Sequence, residues 1–526
     1  MRTPVQHLDD PQTFIPDVFA SHAAFNPRKE AVVCGTVRRS WGDFDRNINR
    51  VANALLAAGV GRGHRVAVLM GNCVEMLEVM FGVIRAGACV VPLSGLLTGE
   101  QLAALIDDSE AVMVFATPDF RVRLEPYRER IRSLRGDGLI AVNGGAPAWL
   151  DFERFAGAAP AAAPLVNYAL ADDFNIIYSS GTTGLPKGIV QTHRARLHFA
   201  MSNAIEMGFT AQSKALTTTS LYSNGTWLML LPALFAGGTL VAMPAFDVKA
   251  FLQTVQAERI SHTFLVPTQF IMVLAEPGFD AFDLSSLQTI LSAGSPMRRQ
   301  TKREAIRRMG NKLTELYGFS EGFATMLKPW HPESKSDSVG VPVLGFEIRI
   351  LGEAGQALPR GETGEIAGYG AGMMRGYNRR PEQTAELIWR DERGRSFIRS
   401  GDVGRLDEDG FLTIVDRKKD MIISGGFNVF PKDIETVVAG HPHVQDVTVI
   451  GVPDAKWGEV PVALVIAKPG APAQPDEIRE WANPRLAKFQ RLSRVELRPE
   501  FPRNALGKVL KRELREPFWA GQEARI

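Results

Sequence analysis

Tyr178-Ser179-Ser180-Gly181-Thr182-Thr183-Gly184-Leu185-Pro186-Lys187-Gly188 packs three glycines, four aliphatic hydroxyls and one lysine into eleven residues. Such a loop is suited to holding phosphate. Glycines let the backbone approach an anion closely, hydroxyls and exposed N–H groups donate, and Lys187 supplies a point charge. The implied ligand is a nucleoside triphosphate. The order of residues is not that of a Walker A loop, which runs Gly-x-x-x-x-Gly-Lys-Ser/Thr into a helix, and no Gly-x-Gly-x-x-Gly follows a predicted strand. The flanks, Phe174-Asn175-Ile176-Ile177 before and Gly188-Ile189-Val190-Gln191-Thr192-His193 after, read as strand, loop, strand. The loop is therefore expected to be a hairpin-like flap.

This string resembles the phosphate-loop signature of the adenylate-forming superfamily: acyl-CoA synthetases, adenylation domains of peptide synthetases and firefly-type luciferases. The resemblance implies ATP or AMP binding by Ser179, Ser180, Gly181, Thr182, Thr183, Gly184 and Lys187. It also makes demands on the rest of the chain.

At 526 residues the chain is too long for a single core, so two or more domains are expected. A net charge of +2, with acids and bases interspersed, gives no footprint for nucleic acid. Cys34, Cys73 and Cys89 are odd in number and lack Cys-x-x-Cys spacing, which suits a reducing, cytoplasmic setting. The first ten residues lack the apolar run of a signal peptide. Residues 215–246 carry no charged side chain, yet Thr217-Thr218-Thr219-Ser220, Ser223-Asn224-Gly225-Thr226, Pro232 and Gly237-Gly238 interrupt the apolar run. Each uninterrupted piece is shorter than the roughly 20 residues a bilayer span needs. A buried strand, a pocket loop and a core helix are expected there, with no transmembrane segment.

Along the chain, helical spacing over 13–25, 43–58, 73–86 and 99–108 alternates with strand runs at 65–70, 89–93 and 111–116. An arginine-rich helix is expected over 121–134 and a loop over 156–164. Such alternation means parallel sheets with crossover helices. A second α/β rhythm follows: helices over 195–207, 248–258 and 268–274, strands over 262–266 and 289–292. From Gly340 the texture changes to short strands at 346–350, 364–369 and 410–415, read as a small β-barrel or meander. Five consecutive charges, Asp416-Arg417-Lys418-Lys419-Asp420, precede a last α/β pattern with strands over 444–451 and 460–466 and helices over 432–440 and 475–483. The fold class is α/β: a large N-terminal domain of two stacked α/β layers plus a small β-barrel (1–415), a hinge (416–420) and a small mobile α/β C-terminal domain (421–526).

The demanded motifs are present. Tyr317-Gly318-Phe319-Ser320-Glu321 matches the superfamily's aromatic-Gly-x-Ser/Thr-Glu string. Tyr317 offers a π face for adenine, Gly318 permits close approach of an acyl group, Ser320 donates to the α-phosphate, and Glu321 holds Mg²⁺. Gly294 and Ser295, in Ser292-Ala293-Gly294-Ser295-Pro296, resemble the adenine-cradling turn. Asp402 resembles the aspartate that accepts both ribose hydroxyls, with Arg417 expected beside it. Lys508, in Asn504-Ala505-Leu506-Gly507-Lys508, resembles the lysine that stabilises the charge developing as carboxylate attacks the α-phosphorus.

The resemblance further implies two closed states, with the small domain turning about Lys419. In the second state Ser424-Gly425-Gly426-Phe427-Asn428 faces the site, and Gly425, Gly426 and Phe427 line the path of the coenzyme A thiol. Tyr222, Ser223, Asn224, Trp227, Phe319 and Phe323 are expected in the acyl pocket. Many acyl- and aryl-CoA ligases have an aromatic residue followed by His, whereas here Tyr222 is followed by Ser223. His193, His441 and His443 show no metal-ligand spacing and are read as structural. The expected activity is that of an ATP-dependent carboxylic acid:CoA ligase acting on a fatty (medium- or long-chain) or aryl acid. ATP, Mg²⁺ and coenzyme A are its expected small-molecule requirements, with no nucleic-acid partner and a homodimer left open. The alternatives are an enzyme loading a carrier-protein phosphopantetheine and a catalytically silent nucleotide-binding regulator.

Overall fold

The apolar runs and crossover helices of the first half of the chain produce two largely parallel sheets. In the first, parallel strands lie in the order Leu313–Gly318, Thr289–Ser292, His262–Leu265, Lys214–Thr217, Thr239–Ala242, Glu30–Cys34. In the second, the order is Asp173–Ser179, Cys89–Pro92, Arg65–Leu69, Ala111–Ala116, Leu139–Ala141, again parallel. The structure is a computed structural model that describes residues 12–179, 186–417, 420–424, 427–454, 457–503 and 507–520.

Helix Val74–Arg85 has eleven of its twelve residues buried, and Trp227–Phe235 is buried on nearly every face. Both helices are covered on nearly every side, and the charges that the first one buries, Glu78 and Arg85, are paired with Arg39 and Asp45. Each fully buried Leu, Ile, Val, Met or Phe side chain contributes roughly 1.5–3 kcal/mol relative to exposure. The uncharged segment resolves into strand Lys214–Thr217, a loop, helix Trp227–Phe235 and strand Thr239–Ala242. Among the described residues, no helix is long and apolar enough to cross a membrane.

The expected helix over 121–134 is not continuous. An α-helix, Pro118–Leu124, gives way to a 3-10 turn, Glu125–Arg130. Pro126 has no N–H to donate and its ring crowds the preceding turn, which ends the α-helical ladder there.

The chain divides into two compact units, one of Met1–Trp330, Pro342–Glu347 and Tyr369–Ile388, the other of His331–Val341, Ile348–Gly368 and Trp389–Ile526. The second unit contains two sheets. In one, Ser396–Leu406 pairs antiparallel with both Gly364–Gly370 and Leu412–Arg417. In the other, Val444–Asp454 and Gly458–Ala467 form a long antiparallel pair, and Arg494–Leu497 adds in parallel. Helices Pro431–Val438 and Pro475–Ala482 cover this sheet through Ile434, Val438, Ile478 and Ala482, all in one buried cluster.

Candidate active site

The strands on either side of the glycine- and hydroxyl-rich loop pair antiparallel, with Tyr178 opposite Gly188 and Ser179 opposite Lys187. The loop's two ends are thus held side by side at the C-terminal end of a parallel sheet, where ligands of open α/β sheets bind. Gly188 is required by its neighbours: a Cβ there would lie 2.9 Å from Ile176 Cγ2 and 3.1 Å from the Tyr178 ring. Ser180, Gly181, Thr182, Thr183 and Gly184 lie outside the described residues, as do Lys419, Gly425 and Gly426.

Tyr317-Gly318-Phe319-Ser320-Glu321 forms one arm and the turn of a hairpin. Strand Leu313–Gly318 pairs antiparallel with Ala324–Leu327, placing Tyr317 opposite Thr325 and Gly318 opposite Ala324. Phe319 and Phe323 meet edge to face at 5.0 Å, and Tyr317 lies 6.3 Å from Phe323. Phe323 is fully buried, so it backs the turn, while Tyr317 and Phe319 remain half-buried. Gln191 donates through Nε2 to the Ser320 carbonyl at 2.6 Å, tying the hairpin to the strand that leaves the phosphate loop. Strand Thr289–Ser292 runs beside it, Ser292 opposite Glu315, and leads directly into Gly294 and Ser295. Gly294 has φ +91°, a conformation glycine reaches without strain.

Sequence reasoning missed Tyr377. It lies on a short strand, Gly376–Tyr377, paired antiparallel with Val190 and Ile189. Its hydroxyl donates to Glu321 Oε1 at 2.8 Å, and its ring lies 4.8 Å from the Lys187 ammonium. Burial and the Glu321 charge both push the phenol upward from its ordinary range, so it remains a donor at neutral pH. The Met374 amide donates to the Glu321 carbonyl at 2.8 Å, and the Asn378 amide to the Gly188 carbonyl at 2.7 Å. This strap therefore brings together a residue expected at phosphate and one expected at metal. No local signal in Arg375-Gly376-Tyr377-Asn378 announces it, because the contact arises from strand pairing between distant segments.

Glu321 is a sound match for the expected Mg²⁺. A hard cation takes oxygen ligands, and the Tyr377 hydrogen bond supports and orients the carboxylate from behind.

The loop containing Tyr222, Ser223 and Asn224 is pinned at both ends. Asn72 accepts from the Leu221 amide at 2.8 Å and donates to the Thr219 and Met243 carbonyls at 3.1 and 2.9 Å. The Thr226 hydroxyl donates to the Ser220 carbonyl at 2.7 Å, and the Trp227 indole to the Leu221 carbonyl at 2.9 Å. Tyr222, Ser223 and Asn224 are half-buried, whereas Trp227 is wholly inside and forms the base under the loop.

In the second unit, Asp402 stands opposite Arg417 in the antiparallel pair, and is buried to 8% exposure. The Asp402 amide donates to Ser400 Oγ at 3.0 Å. Lys508 follows Gly507, whose φ is +75°, and precedes Val509, which bridges to Arg503. Arg503 donates to the Gly507 carbonyl at 2.6 Å and pairs with Asp446, and the Leu510 amide donates to the Pro502 carbonyl at 2.8 Å. The lysine is thus presented from a braced turn. Lys432, which the sequence reading did not single out, donates its amide to Asp416 Oδ2 and its ammonium to the Ile414 carbonyl, both at 3.0 Å. It ties helix Pro431–Val438 to the end of the strand that carries Arg417.

His193 is buried among Phe14, Tyr168 and Phe174, and burial holds its imidazole down to about 4. His441, His443 and Glu477 bring ligand atoms within 4.8 Å of one another. The His443 amide donates to His441 Nδ1 at 3.2 Å, which leaves the proton on Nε2, the atom 3.9 Å from Glu477. A protonated Nε2 has no lone pair to offer a metal, which counts against a ligand set in this arrangement.

A cavity of about 540 Å³ opens at the other end of the second sheet, between Arg65, Asp173, Arg375, Arg379 and Arg380. Six residues of strand, about 20 Å, separate Asp173 from Ser179, so this is not the phosphate end. Its arginines are paired: Arg375 with Asp173 at 2.5 Å, Arg65 with Glu110 at 2.6 Å, Arg380 with Asp108 at 2.8 Å. They anchor the strap that carries Tyr377.

The family model described as AMP-binding enzyme matches residues 19–378, and that of the AMP-binding enzyme C-terminal domain matches 433–508. A feruloyl-CoA synthase of Amycolatopsis sp is 36% identical over 499 residues, covering 94% of this chain and 97% of that enzyme. The fatty acid–[acyl-carrier-protein] ligase ScoC of Streptomyces coeruleorubidus is 32% identical over 523 residues, covering 96% of each. The crystal structure of ATP-bound MatB from Rhodopseudomonas palustris superposes with a TM-score of 0.87 at 28% identity, covering 96% of this chain and 99% of that one.

Proposed function

Because the chain belongs to the AMP-binding, adenylate-forming enzymes and to their acyl-CoA ligase branch, we propose that it activates an aromatic carboxylic acid with ATP and transfers the acyl group to coenzyme A. The observation that carries this reading is Tyr377, which holds the phosphate-side Lys187 and the carboxylate of Glu321 in one arrangement. The aryl preference is supported by the half-buried Tyr222 and Phe319 and by the similarity to feruloyl-CoA synthases along nearly the whole chain.

In the first step a carboxylate oxygen of the acid attacks the α-phosphorus of ATP and pyrophosphate leaves, giving the acyl-adenylate. Lys187 and the hydroxyls of the phosphate loop hold the triphosphate; Asp402 accepts from the ribose hydroxyls. Lys508 stabilises the negative charge that builds on the pentavalent phosphorus. Mg²⁺ on Glu321 neutralises phosphate charge when bound. The smaller domain then turns about Lys419, withdrawing Lys508 and bringing Gly425, Gly426 and Phe427 to the site. In the second step the coenzyme A sulfur attacks the acyl carbonyl and AMP leaves. Three free thiols, with burial pushing Cys34 up to about 11 and Cys73 up to about 12, suit a cytoplasmic enzyme.

Pyrophosphate release with ATP is the test, screened over aryl, arylpropenoic and short-, medium- and long-chain aliphatic acids, with and without coenzyme A. Release and thioester formation with aryl acids are expected; a preference for aliphatic acids would overturn the aryl assignment. The similarity to a carrier-protein ligase supports a second reading, in which the acceptor is a phosphopantetheine. Replacing coenzyme A with a holo-carrier protein in the same assay separates the two.

A further inference from the structure

Arg196 is 1% exposed, and no carboxylate among the described residues pairs with it. Burying a charge without a counter-ion costs several kcal/mol, so its surroundings matter. Thr192 caps helix His193–Met207, its hydroxyl accepting from the Ala195 amide at 3.2 Å, and this places Arg196 in the helix's first turn. The guanidinium donates through Nε to Asn175 Oδ1 at 2.7 Å and through Nη2 to Asn224 Oδ1 at 2.8 Å. It lies 4.8 Å from the Trp227 ring and 5.2 Å from the Phe199 ring. Asn175 belongs to the strand that enters the phosphate loop, and Asn224 to the loop that carries Tyr222 and Ser223. Two asparagines and two aromatic faces replace the missing carboxylate.

We propose that Arg196 is a positioning and specificity-determining residue that fixes the 220–226 loop against the strand entering the phosphate loop, and so sets how the acid lies relative to the α-phosphate. The proposal rests on the assignment of this loop to the acyl pocket. A planar fork is suited to the task, since it can hold two acceptors on separate elements at fixed angles, which a lysine ammonium cannot reproduce. Burial also lowers its proton affinity to about 9, still leaving it charged at neutral pH. The arrangement is expensive for mere packing. An apolar pair would fill the same space without a buried charge, and such replacements are often neutral or stabilising.

That replacement is the test. The double variant Arg196→Met/Asn175→Leu removes the charge and both acceptor contacts without leaving a buried, unpaired asparagine and without altering the pocket loop itself; Arg196→Lys keeps charge and removes the fork. Melting temperature, KM for acid and for ATP, kcat, and hydrogen exchange of 220–226 are measured in each. The double variant should fold and melt near the parent, yet show KM for acid raised about tenfold and kcat of adenylation lowered up to about 100-fold, as expected of misplaced reactants. KM for ATP should stay unchanged, the ranking of acids should flatten, and exchange in 220–226 should rise. Arg196→Lys should restore none of these. A double variant with parental KM for acid, parental acid ranking and parental exchange would reduce Arg196 to core packing. The parent's own response to acids tests the ligase reading separately. If no acid releases pyrophosphate from the parent, that reading fails, and exchange in 220–226 alone decides whether Arg196 anchors the loop.

Discussion

The Tyr377 hydroxyl donates to Glu321 at 2.8 Å while the same ring lies 4.8 Å from the Lys187 ammonium, so one side chain braces the carboxylate expected to hold Mg²⁺ and the cation expected at phosphate. The ring and the hydroxyl can be separated by substitution. Tyr377→Phe keeps the face beneath Lys187 and removes only the bond to Glu321. It is expected to raise the Mg²⁺ concentration needed for adenylation by about 10–100-fold, the usual effect of losing a partner behind a metal ligand. A magnesium titration of pyrophosphate release checks it; an unaltered midpoint would mean that the hydroxyl does not tune the carboxylate.

Lys508→Ala should abolish adenylation yet leave thioester formation from supplied acyl-adenylate nearly intact, because the lysine serves only the first step. Separate assays of the two half-reactions read this directly. Equal loss of both would make Lys508 a structural residue of its braced turn.

Lys419→Pro should have the opposite effect. Proline fixes φ near −65° and restricts the residue before it, which traps a pivot whose backbone must change. Adenylation should survive and transfer to coenzyme A fall by about 100-fold or more, as a block on a required conformational step predicts. A folded variant completing both half-reactions at parental rates would remove the hinge from Lys419.

Stability should depend on pH through two buried imidazoles. Burial holds His193 and His262 at about 4, below their ordinary 6.5. His262 donates from Nε2 to the Met207 carbonyl at 3.0 Å and stacks on Phe209 at 4.0 Å. Between these values the unfolded chain binds more protons than the folded one, so stability is complete above about 6.5 and is lost as pH falls towards 4. The loss is on the order of 3 kcal/mol per histidine, at about 1.4 kcal/mol per pKa unit. Urea unfolding at pH 7.5, 5.5 and 4.5 measures it, and His262→Gln should flatten the profile.

Much of this fold is legible residue by residue. The strand Ala111–Ala116 and helices Gly99–Asp108 and Val248–Glu258 fall where apolar spacing puts them, because each has one clear buried face or run. Helix Arg299–Met309 escapes detection: six of its eleven residues are charged, and only Ala305 and Met309 are buried. Strand Ser396–Leu406 escapes as well, since Arg399-Ser400-Gly401-Asp402 interrupts its apolar pattern. The same logic applies to the site. Lys187, Glu321 and Asp402 lie in strings with recognisable local chemistry, whereas Tyr377 and Arg196 act through partners far away in sequence.

The strap bearing Tyr377 is secured on either side of that residue by Arg375 with Asp173 and Arg380 with Asp108, pairs that are partly open to solvent, Arg375 at 51%. Ions of the medium screen such contacts, and each is worth at most about 1 kcal/mol. Slackening them loosens the register of the short strand Gly376–Tyr377, whose tyrosine supports Glu321. The magnesium requirement is thereby linked to ionic strength through ion pairs that touch neither the phosphates nor Glu321. Substitutions at those pairs offer a way to adjust turnover while leaving every residue in contact with substrate untouched.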